Sequence, residues 1–309
     1  MAVWTLYPGQ RKRLNFTPQE IMFLSSILGM PPNNVFFVHS VTGTNVANRG
    51  SREEPLASFD YAVGLCTANK GDVIVGLPGH VETISAAGSL TMDIAGVTIV
   101  GLGNGLNRPI MDYTVAAGTV EMDADNTRIT NCVFKANVTA VLVGVNVDGA
   151  YCEFDNNYQT FDATGDDFVI FLDVGTVSHA YVHGNYFRTE LAAGADSSVK
   201  LTAASFARVH NNEFHGQWAK APIVGETTLS TDLSIVGNVI FNADTSVYNG
   251  IDIGALSSTG IVAGNQVTAL YATIVTKIFR DGLCSFHSNS WCNAVSERGA
   301  IALPATSSA

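Results

Sequence analysis

The chain has 309 residues, of which 47% are hydrophobic and only 14% are charged, so it can bury a long apolar core. Its formal net charge is −11, which argues against a nucleic-acid partner because phosphates demand a basic surface. No apolar run approaches the roughly 18 residues of a transmembrane helix, and no secretory signal is recognisable. We therefore expect one elongated domain with neither a membrane nor a nucleic-acid partner.

Residues 1–42 are predicted to form an N-terminal arm. Residues 1–16 look irregular, and the stretch 17–20 (Thr-Pro-Gln-Glu) is a capping box with proline at the first helical position. A short helix should begin there and end at Gly29. Apolar residues almost encircle this helix, so another surface must cover it. The chain's own domain and a neighbouring subunit are equally consistent with the pattern.

The next predicted elements are two strands and a second helix. Residues 35–41 and 73–75 are rich in valine, isoleucine and phenylalanine, which favour strands. Residues 56–67, with Pro55 at their start, predict a helix. A third strand follows at 81–84, and the first clear strand of a repeating unit lies at 97–101.

One short phrase returns between about residue 127 and residue 293. It has six positions. The first and last are apolar, the second and fifth can be any residue, the third is Gly, Asn or Ser, and the fourth is Asn or Cys. The fourth position is occupied in successive copies by Cys132, Asn185, Asn212, Asn238, Asn265 and Asn289. Later copies lie 24 to 27 residues apart, and the first gap of 53 residues holds a degenerate copy at 149–154. Internal repeats of this length indicate a solenoid.

The repeat predicts an all-β fold, a parallel β-helix. Asn and Gly tolerate the left-handed conformation of a tight corner, and the flanking β-branched and aromatic residues favour strands. The period is too short to hold a helix as well as two strands. Stacked turns would place the corner asparagines above one another as an amide ladder. The asparagines are therefore interpreted as corner formers rather than ligands.

The stretch 43–82 resembles the opening turn of right-handed parallel β-helix proteins of the pectin-lyase-like class. In that class a helix caps the open end, and "GD-x-I" and "PG-x-x-x-E" phrases follow. Residues 71–74 (Gly-Asp-Val-Ile) match the first phrase, and residues 78–82 match the second in shortened form. The resemblance implies a right-handed β-helix over 43–293 with a capping helix at its N-terminal end. Residues 294–309 would be an extended tail.

The histidines and cysteines do not predict a metal site or any other cofactor. His183 and His210 hold the same repeat position on adjacent turns, and His287 repeats it, but no carboxylate recurs beside them in the sequence. A solvent-facing ladder is therefore favoured. Cys132 and Cys152 are predicted to occupy equivalent positions and to stack in the core, with a disulfide between them as the alternative.

The densest acidic group lies between residues 155 and 173. Asp166 and Asp167, preceded by glycine, are similar to the paired-aspartate phrase of polygalacturonase-type families, but the other phrases of that pattern are missing. Adjacent aspartates in a variable loop are more typical of a turn. With Asp162 they are the candidate acids if the chain cleaves a glycan, which requires two carboxylates. The favoured prediction is that the chain is not an enzyme.

The chain is similar to bacteriophage virion β-helix proteins, namely capsid decoration proteins and tailspikes. The resemblance lies in its arm, its capping helix, its weakly charged Asn/Gly/Val/Thr-rich repeats and its free cysteines. The resemblance implies a homotrimeric decoration, or cement, protein made in the host cytoplasm, which binds the major capsid protein on the outer capsid surface. The short arm and tail leave little room for the attachment domain of a tailspike. Aromatic and arginine side chains are the usual interface anchors. The expected contacts are Trp4, Tyr7, Arg11, Arg13, Phe16, Ile21, Phe23 and Leu24.

Two alternatives stay open. One is a tailspike or adhesin that binds or depolymerises a host surface polysaccharide, with Asp162, Asp166 or Asp167 as its acids. The other is a free-standing polysaccharide lyase or hydrolase without virion attachment. Fold alone does not separate these roles.

Overall fold

The chain coils into a parallel β-solenoid in which successive turns add one strand each to three long sheets. The computed structural model describes residues 34–190, 195–225, 228–244, 250–253, 258–269, 279–280, 283–293 and 298–300. The predicted all-β parallel fold is confirmed for this part of the chain. The predicted helix over 17–29 lies outside it, as do all eight predicted capsid contacts.

Sheet A contains ten parallel strands, and in each repeat it holds the strand that precedes the Asn/Gly corner. Its strands are β1 (Val35–Val38), β2 (Val73–Gly76), β5 (Thr98–Gly101), β8 (Arg128–Thr130), β11 (Glu153–Asp155), β14 (Tyr181–His183), β17 (Arg208–His210), β20 (Leu233–Val236), β23 (Gly260–Ala263) and β26 (Ser285–His287).

Sheet B follows sheet A across the Asn/Gly corner and also contains ten strands. Its strands are β3 (Val81–Ile84), β6 (Ile110–Tyr113), β9 (Val133–Ala136), β12 (Tyr158–Phe161), β15 (Tyr186–Arg188), β18 (Glu213–Gly216), β21 (Val239–Asn242), β24 (Gln266–Ala269), β27 (Ser290–Asn293) and β28 (Arg298–Ala300). Only β28 pairs antiparallel among the described strands, so the parallel pairing ends at Asn293, and β28 lies within the predicted tail.

Sheet C completes each turn with eight strands. They are β4 (Leu90–Thr91), β7 (Val120–Met122), β10 (Val141–Val147), β13 (Phe168–Val174), β16 (Ser197–Leu201), β19 (Ile223–Val224), β22 (Ile251–Asp252) and β25 (Phe279–Arg280). Side chains from all three sheets meet inside the solenoid, where Phe134, Phe154, Phe171 and Phe187 form a chain of ring contacts along the axis. This continuous core accounts for the high apolar content of so weakly charged a chain.

The corner between sheets A and B carries the asparagine ladder that the repeat predicts. The third residue of the phrase is left-handed at Asn131, Gly184, Asn211, Gly237, Gly264 and Ser288. The following asparagines are buried, and each backbone N–H donates to the side-chain oxygen of the next: Asn185 to Asn212 at 3.0 Å and Asn238 to Asn265 at 2.9 Å. Each amide nitrogen also donates to a carbonyl of the previous turn, as from Asn212 to Val182 at 3.0 Å. The ladder thus pairs the polar groups that every tight corner buries.

The degenerate copy predicted at 149–154 is wrong, because the true copy follows it. Asn156 is the left-handed residue, and Asn157 accepts a hydrogen bond from the Cys132 backbone N–H at 2.9 Å. The sequence also predicts a variable loop at 155–167, but the end of β11 and the whole of β12 lie within that range. Cys152 belongs to the corner between sheets C and A, where its Sγ lies 3.1 Å from Thr127 Oγ1.

All five cysteines are free thiols, so the alternative of a disulfide between Cys132 and Cys152 is also wrong. The two residues sit at different corners rather than at equivalent ones. Burial raises the pKa of the Cys132 thiol to about 12, and burial likewise raises that of Cys152. A thiol held protonated in this way is a small apolar filler, not a nucleophile.

The helix predicted over 56–67 is reduced to one turn, α1 (Phe59–Val63), which packs against β1, β2 and β4. Ser58 caps its N-terminus. Glu82 Oε2 accepts the Phe59 N–H at 2.8 Å and lies 3.0 Å from His80 Nε2. Among the described residues, no helix is long and apolar enough to cross a lipid bilayer.

The two phrases that resemble the pectin-lyase-like class have structural roles here. Asp72 accepts hydrogen bonds from the Thr67 backbone at 2.7 Å and from the Asn34 backbone at 3.0 Å, so it ties the chain before β1 to the loop after α1. Glu82 supports the start of α1 from the next strand. Both carboxylates are buried and bound to backbone N–H groups, which explains why acidic residues stand in these positions.

Candidate functional site

The outer face of sheet A brings together the richest set of ionisable side chains in the described part of the chain. In the three-residue strands β8, β11, β14 and β17 the middle residue is buried in the core, and the first and third lie on the outer side of the sheet. Strands β8, β11, β14 and β17 therefore place side chains from four successive turns on one face. We call these residues the sheet A cluster: Arg128, Glu153, Asp155, Tyr181, His183, Arg208 and His210.

Arg128 and Asp155 form a two-pronged ion pair at one end of the cluster. Arg128 Nε donates to Asp155 Oδ1 at 2.7 Å, and its Nη2 donates to Asp155 Oδ2 at 2.8 Å. Asp155 is fully buried and also accepts from Thr130 Oγ1 at 2.8 Å and Asn156 Nδ2 at 2.6 Å. A carboxylate with all its acceptor sites filled is a structural anchor rather than a free base.

Glu153 bridges the ion pair to the histidines. Its Oε2 lies 3.3 Å from Arg128 Nε, and its Oε1 lies 2.7 Å from His183 Nε2. The Tyr181 ring stacks on the His183 ring with centroids 4.0 Å apart. The carboxylate and the ring together fix the orientation of the His183 imidazole.

His210 and Arg208 stand on the next turn. His210 Nε2 lies 2.8 Å from Ser234 Oγ, and the edge of the Tyr181 ring faces the imidazole. Burial lowers the pKa of His210, and the positive charges of Arg208 and His183 lower it further. The imidazole is therefore neutral at pH 7. Arg208 is exposed and has no hydrogen bond or ion pair within the described residues.

The sequence-based view that no carboxylate accompanies the histidines is wrong, because Glu153 and Asp155 lie one turn away from His183. One ligand atom each from Glu153, Asp155 and His183 lies within 4.8 Å of the others, which is close enough to share a metal ion. Arg128 nevertheless fills the centre of this group and neutralises Asp155. A divalent cation would have to displace the guanidinium, so the residues present do not fit a metal.

A second acidic group lies at the edge of sheet C. Carboxylate oxygens of Glu121, Asp123 and Asp148 lie within 4.8 Å of one another. Burial, followed by repulsion from Glu121, raises the pKa values of Asp123 and Asp148. Oxygen ligands of this kind suit a hard cation such as Ca²⁺. Asp123 and Asp148 are exposed, however, and exposed acidic groups are common without an ion.

An open groove of about 300 Å³ runs beside this acidic group along the corners between sheets C and A. Its walls are small or polar: Asp125, Asp148, Ala150, Thr176, Val177, Ser178, Ala203 and Ser205. Tyr151, His179 and Phe206 stack along the same corners, with centroids 4.6 and 4.9 Å apart. The groove is lined by hydroxyl and carboxylate groups, and the three stacked rings follow the same corners.

Each of the three predicted glycan-site acids makes contacts of its own in the structure. Asp162 pairs with Lys135 at 2.9 Å, and Asp166 accepts from the Ala163 backbone at 3.3 Å within its own turn. Asp167 is buried and accepts backbone hydrogen bonds from Phe168 at 2.8 Å and Glu190 at 3.1 Å. Burial raises its pKa to about 7. These contacts fit the turn interpretation of the aspartate pair.

Sequence reasoning missed most of the sheet A cluster. It identified His183 and His210 as neighbours, but it did not identify Glu153, Tyr181, Arg128 or Arg208. The available signal was the register: once Asn157 is recognised as the missing corner, Glu153 and Asp155 align with Tyr181 and His183. The misplaced copy at 149–154 hid this alignment.

Neither a protein-family model nor a curated protein matches the chain. Solved structures similar to it include a rhamnogalacturonan lyase, with 13% identity over 84% of this chain and 74% of that chain and a TM-score of 0.49. A protein described as Geobacillus virus E2 ORF18 has 9% identity over 91% of this chain, a TM-score of 0.36, and is covered over only 64% of its length. A GH136 lacto-N-biosidase from Eubacterium ramulus has 10% identity, covers 89% and 69%, and has a TM-score of 0.28. Similarities of this degree carry no argument about activity.

Proposed function

We propose that the chain is a structural protein of a bacteriophage virion, a capsid decoration protein that binds the outer capsid surface as a homotrimer. The observation that carries the structural role is the buried asparagine ladder, which joins turn to turn from Asn157 to Asn289. Hydrogen bonds repeated at every corner oppose bending and shearing between turns. A stiff solenoid suits a protein that must resist the pressure of packaged DNA.

The contacts that the aspartates make within the solenoid support this structural role. Asp155, Asp162, Asp167 and Asp173 are committed to ion pairs or backbone hydrogen bonds within the solenoid. Groups engaged in this way stabilise a scaffold and are poorly placed to exchange protons with a substrate. The virion location itself rests on the sequence resemblance, and attachment is assigned to the arm at residues 1–42.

The first test is the number of copies of the chain per purified virion of the encoding phage, measured by quantitative mass spectrometry against the major capsid protein. A copy number approaching that of the capsid protein supports decoration of the head. A small fraction of it would place the chain in the tail instead. Absence from purified particles would overturn the virion proposal.

A second test addresses the arm. The double charge reversal Arg11→Glu with Arg13→Glu should weaken binding of the full-length chain to undecorated capsids about tenfold, because interfacial arginines contribute strongly. Lys70→Glu, an exposed change in a turn of the solenoid, is the matched control. Equal binding by the two variants in a co-sedimentation assay would remove these arginines from the interface.

A tailspike or adhesin that binds host surface polysaccharide is the second candidate, and the open groove favours it. Its hydroxyl and carboxylate side chains, Ser178, Ser205, Asp125 and Asp148, suit the hydroxyl groups of a sugar chain. Asp148→Asn should then reduce retention on host cells. If the chain also cleaves that polysaccharide, Asp162→Asn, Asp166→Asn and Asp167→Asn decide whether the predicted acids take part, since unchanged cleavage by all three would exclude them.

A further inference from the structure

Arg208, like Lys70 and Arg188, is a basic side chain that lies in no ion pair within the described part of this acidic protein. Arg49, Arg128, Lys135, Lys200 and Lys220 each lie in an ion pair within the solenoid. Arg208, by contrast, is exposed and has neither an ion pair nor a hydrogen bond within the described part of the chain. Its neighbours across the strands are Tyr181 and Ser234. A guanidinium held in this setting keeps its donors available for a ligand.

The groups nearest Arg208 on this face are imidazoles, which add positive charge only when they are protonated. His210 is on the same face of β17, and His183 is its register partner on β14. Glu153 and Asp155 are on β11, two strands and therefore about 10 Å away. Asp155 is paired with Arg128, and Glu153 contacts Arg128 and His183. The exposed residue Asp232, two residues before Ser234, forms no ion pair with Arg208. The end of the sheet A cluster at β17 therefore carries the unpaired charge of Arg208 in a chain of net charge −11.

We propose that Arg208, His210 and Ser234 form a binding site for the oxyanion of a carboxylate- or phosphate-bearing ligand on the outer face of sheet A. The fork of the Arg208 guanidinium matches two oxygens of such a group. His210 Nε2 lies 2.8 Å from Ser234 Oγ, so the hydroxyl and the imidazole share one proton position. The Tyr181 ring, whose edge faces His210, forms a wall beside the site.

Protonation of His210 couples this site to pH. In the neutral form, one ring nitrogen accepts and the other donates, and the Ser234 hydroxyl proton can be directed at the imidazole. In the protonated form both nitrogens donate, so Nε2 donates to Ser234 Oγ and the hydroxyl proton becomes available to an oxyanion. The ligand and the imidazolium therefore stabilise each other. Binding should strengthen as the pH falls through the pKa of His210, with His183, Tyr181, Glu153, Asp155, Arg128 and Arg208 as the titratable or charged groups on this face.

The experiment titrates the full-length chain with D-glucuronate and, separately, with dimethyl phosphate at constant ionic strength, with glucose as the neutral control. Both anions keep a single charge between about pH 5 and pH 8, so any pH dependence reports the protein. NMR signals of the histidine rings and calorimetry provide the readouts. We expect saturable binding of at least one anion, a raised pKa of His210 in its presence, and tighter binding at the lower pH. The anion that binds more tightly shows whether the site prefers a carboxylate or a phosphate group.

Arg208→Gln should weaken binding about tenfold, since it removes a charged hydrogen-bond donor pair. Arg208→Lys should recover part of the loss, because it restores charge without the fork. Arg188→Gln is the matched control, as Arg188 is an exposed arginine over the Phe161 ring on sheet B. Binding that is unchanged in Arg208→Gln, equal binding of glucose, or anion effects no larger than those of chloride would each overturn the proposal. This site does not depend on virion attachment, so either conclusion can fail alone.

Discussion

At the scale of single residues, Asp167 is a buried structural carboxyl group whose protonation depends on pH. Its side chain is 2% exposed, and its two oxygens accept backbone hydrogen bonds from Phe168 and Glu190. Burial raises the pKa from 3.8 to about 7, and the nearby Glu190 charge acts in the same direction. The folded state therefore holds a proton that the unfolded state releases over this range.

The free energy of unfolding should consequently fall as the pH rises from about 4 to about 7, and the whole of this loss should be present above pH 7. Asp167→Asn removes the ionisable group but keeps only one of the two acceptor oxygens. We expect the stability of the variant relative to the wild type to rise by about 2–4 kcal/mol between pH 4 and pH 8. Urea unfolding at several pH values measures the difference.

The neighbouring change Asp166→Asn is the control, because Asp166 is only partly buried and its hydrogen bond with the Ala163 backbone lies within its own turn. Its difference from the wild type should stay near zero across the same range. A pH-independent difference for Asp167→Asn would mean that the carboxyl group ionises normally in the folded protein.

At the scale of elements, the asparagine ladder joins successive turns by hydrogen bonds. Asn212 accepts from both the backbone and side chain of Asn185, and donates to Val182. Asn212→Leu would leave these groups buried without partners. We expect a loss of about 2–4 kcal/mol in unfolding free energy. Asn211→Gly at the same corner should cost far less, because Asn211 is exposed and already left-handed.

Equal stability of the two asparagine variants in chemical denaturation would show that the ladder is dispensable at this turn. A loss confined to Asn212→Leu would assign the stability to the shared amide contacts. The two positions are adjacent in one corner, so the comparison separates the buried ladder residue from the exposed left-handed residue.

The ion pairs of the solenoid also differ in how much they contribute to its stability. Arg128→Met leaves the fully buried Asp155 carboxylate without its main cationic partner, so it should cost about 3–5 kcal/mol. Lys220→Met removes the more exposed pair with Asp196 and should cost less than about 1 kcal/mol. Thermal unfolding of both variants tests the contrast. Similar small losses would imply that Thr130 and Asn156 alone can support Asp155.

At the scale of the whole molecule, the solenoid has a continuous core and outer faces of different character. Sheet A carries the mixed cluster, whereas the edge of sheet C carries acidic groups and the groove. Distinct faces allow a stiff body to meet different partners on different sides. The proposed homotrimer requires one of these faces, or the arm, to be self-complementary around a threefold axis.

The trimer can be tested directly on the purified full-length chain. We expect sedimentation equilibrium to give a mass three times that of the 32.7 kDa chain, because closed cyclic symmetry would match three equivalent sites on a capsid. The mass should be unchanged over a tenfold dilution. A monomer at all concentrations would remove trimerisation from the proposed function.

The sequence by itself determined the class of fold and the chemistry of its corner. Asn and Gly at a period of 24 to 27 residues predict left-handed corners and an amide ladder, because both properties are local to the corner. The structure confirms them at Asn185, Asn212 and Asn238.

Only the tertiary structure decided which side chains meet on the outer faces. Glu153 and His183 are 30 residues apart, a separation set by the length of the intervening loops rather than by any local preference. One misplaced copy at 149–154 shifted this register and separated residues that are neighbours in space. Outward-facing side chains carry no periodic apolar signal that could correct such a shift, so the sheet A cluster became visible only when the strands were paired.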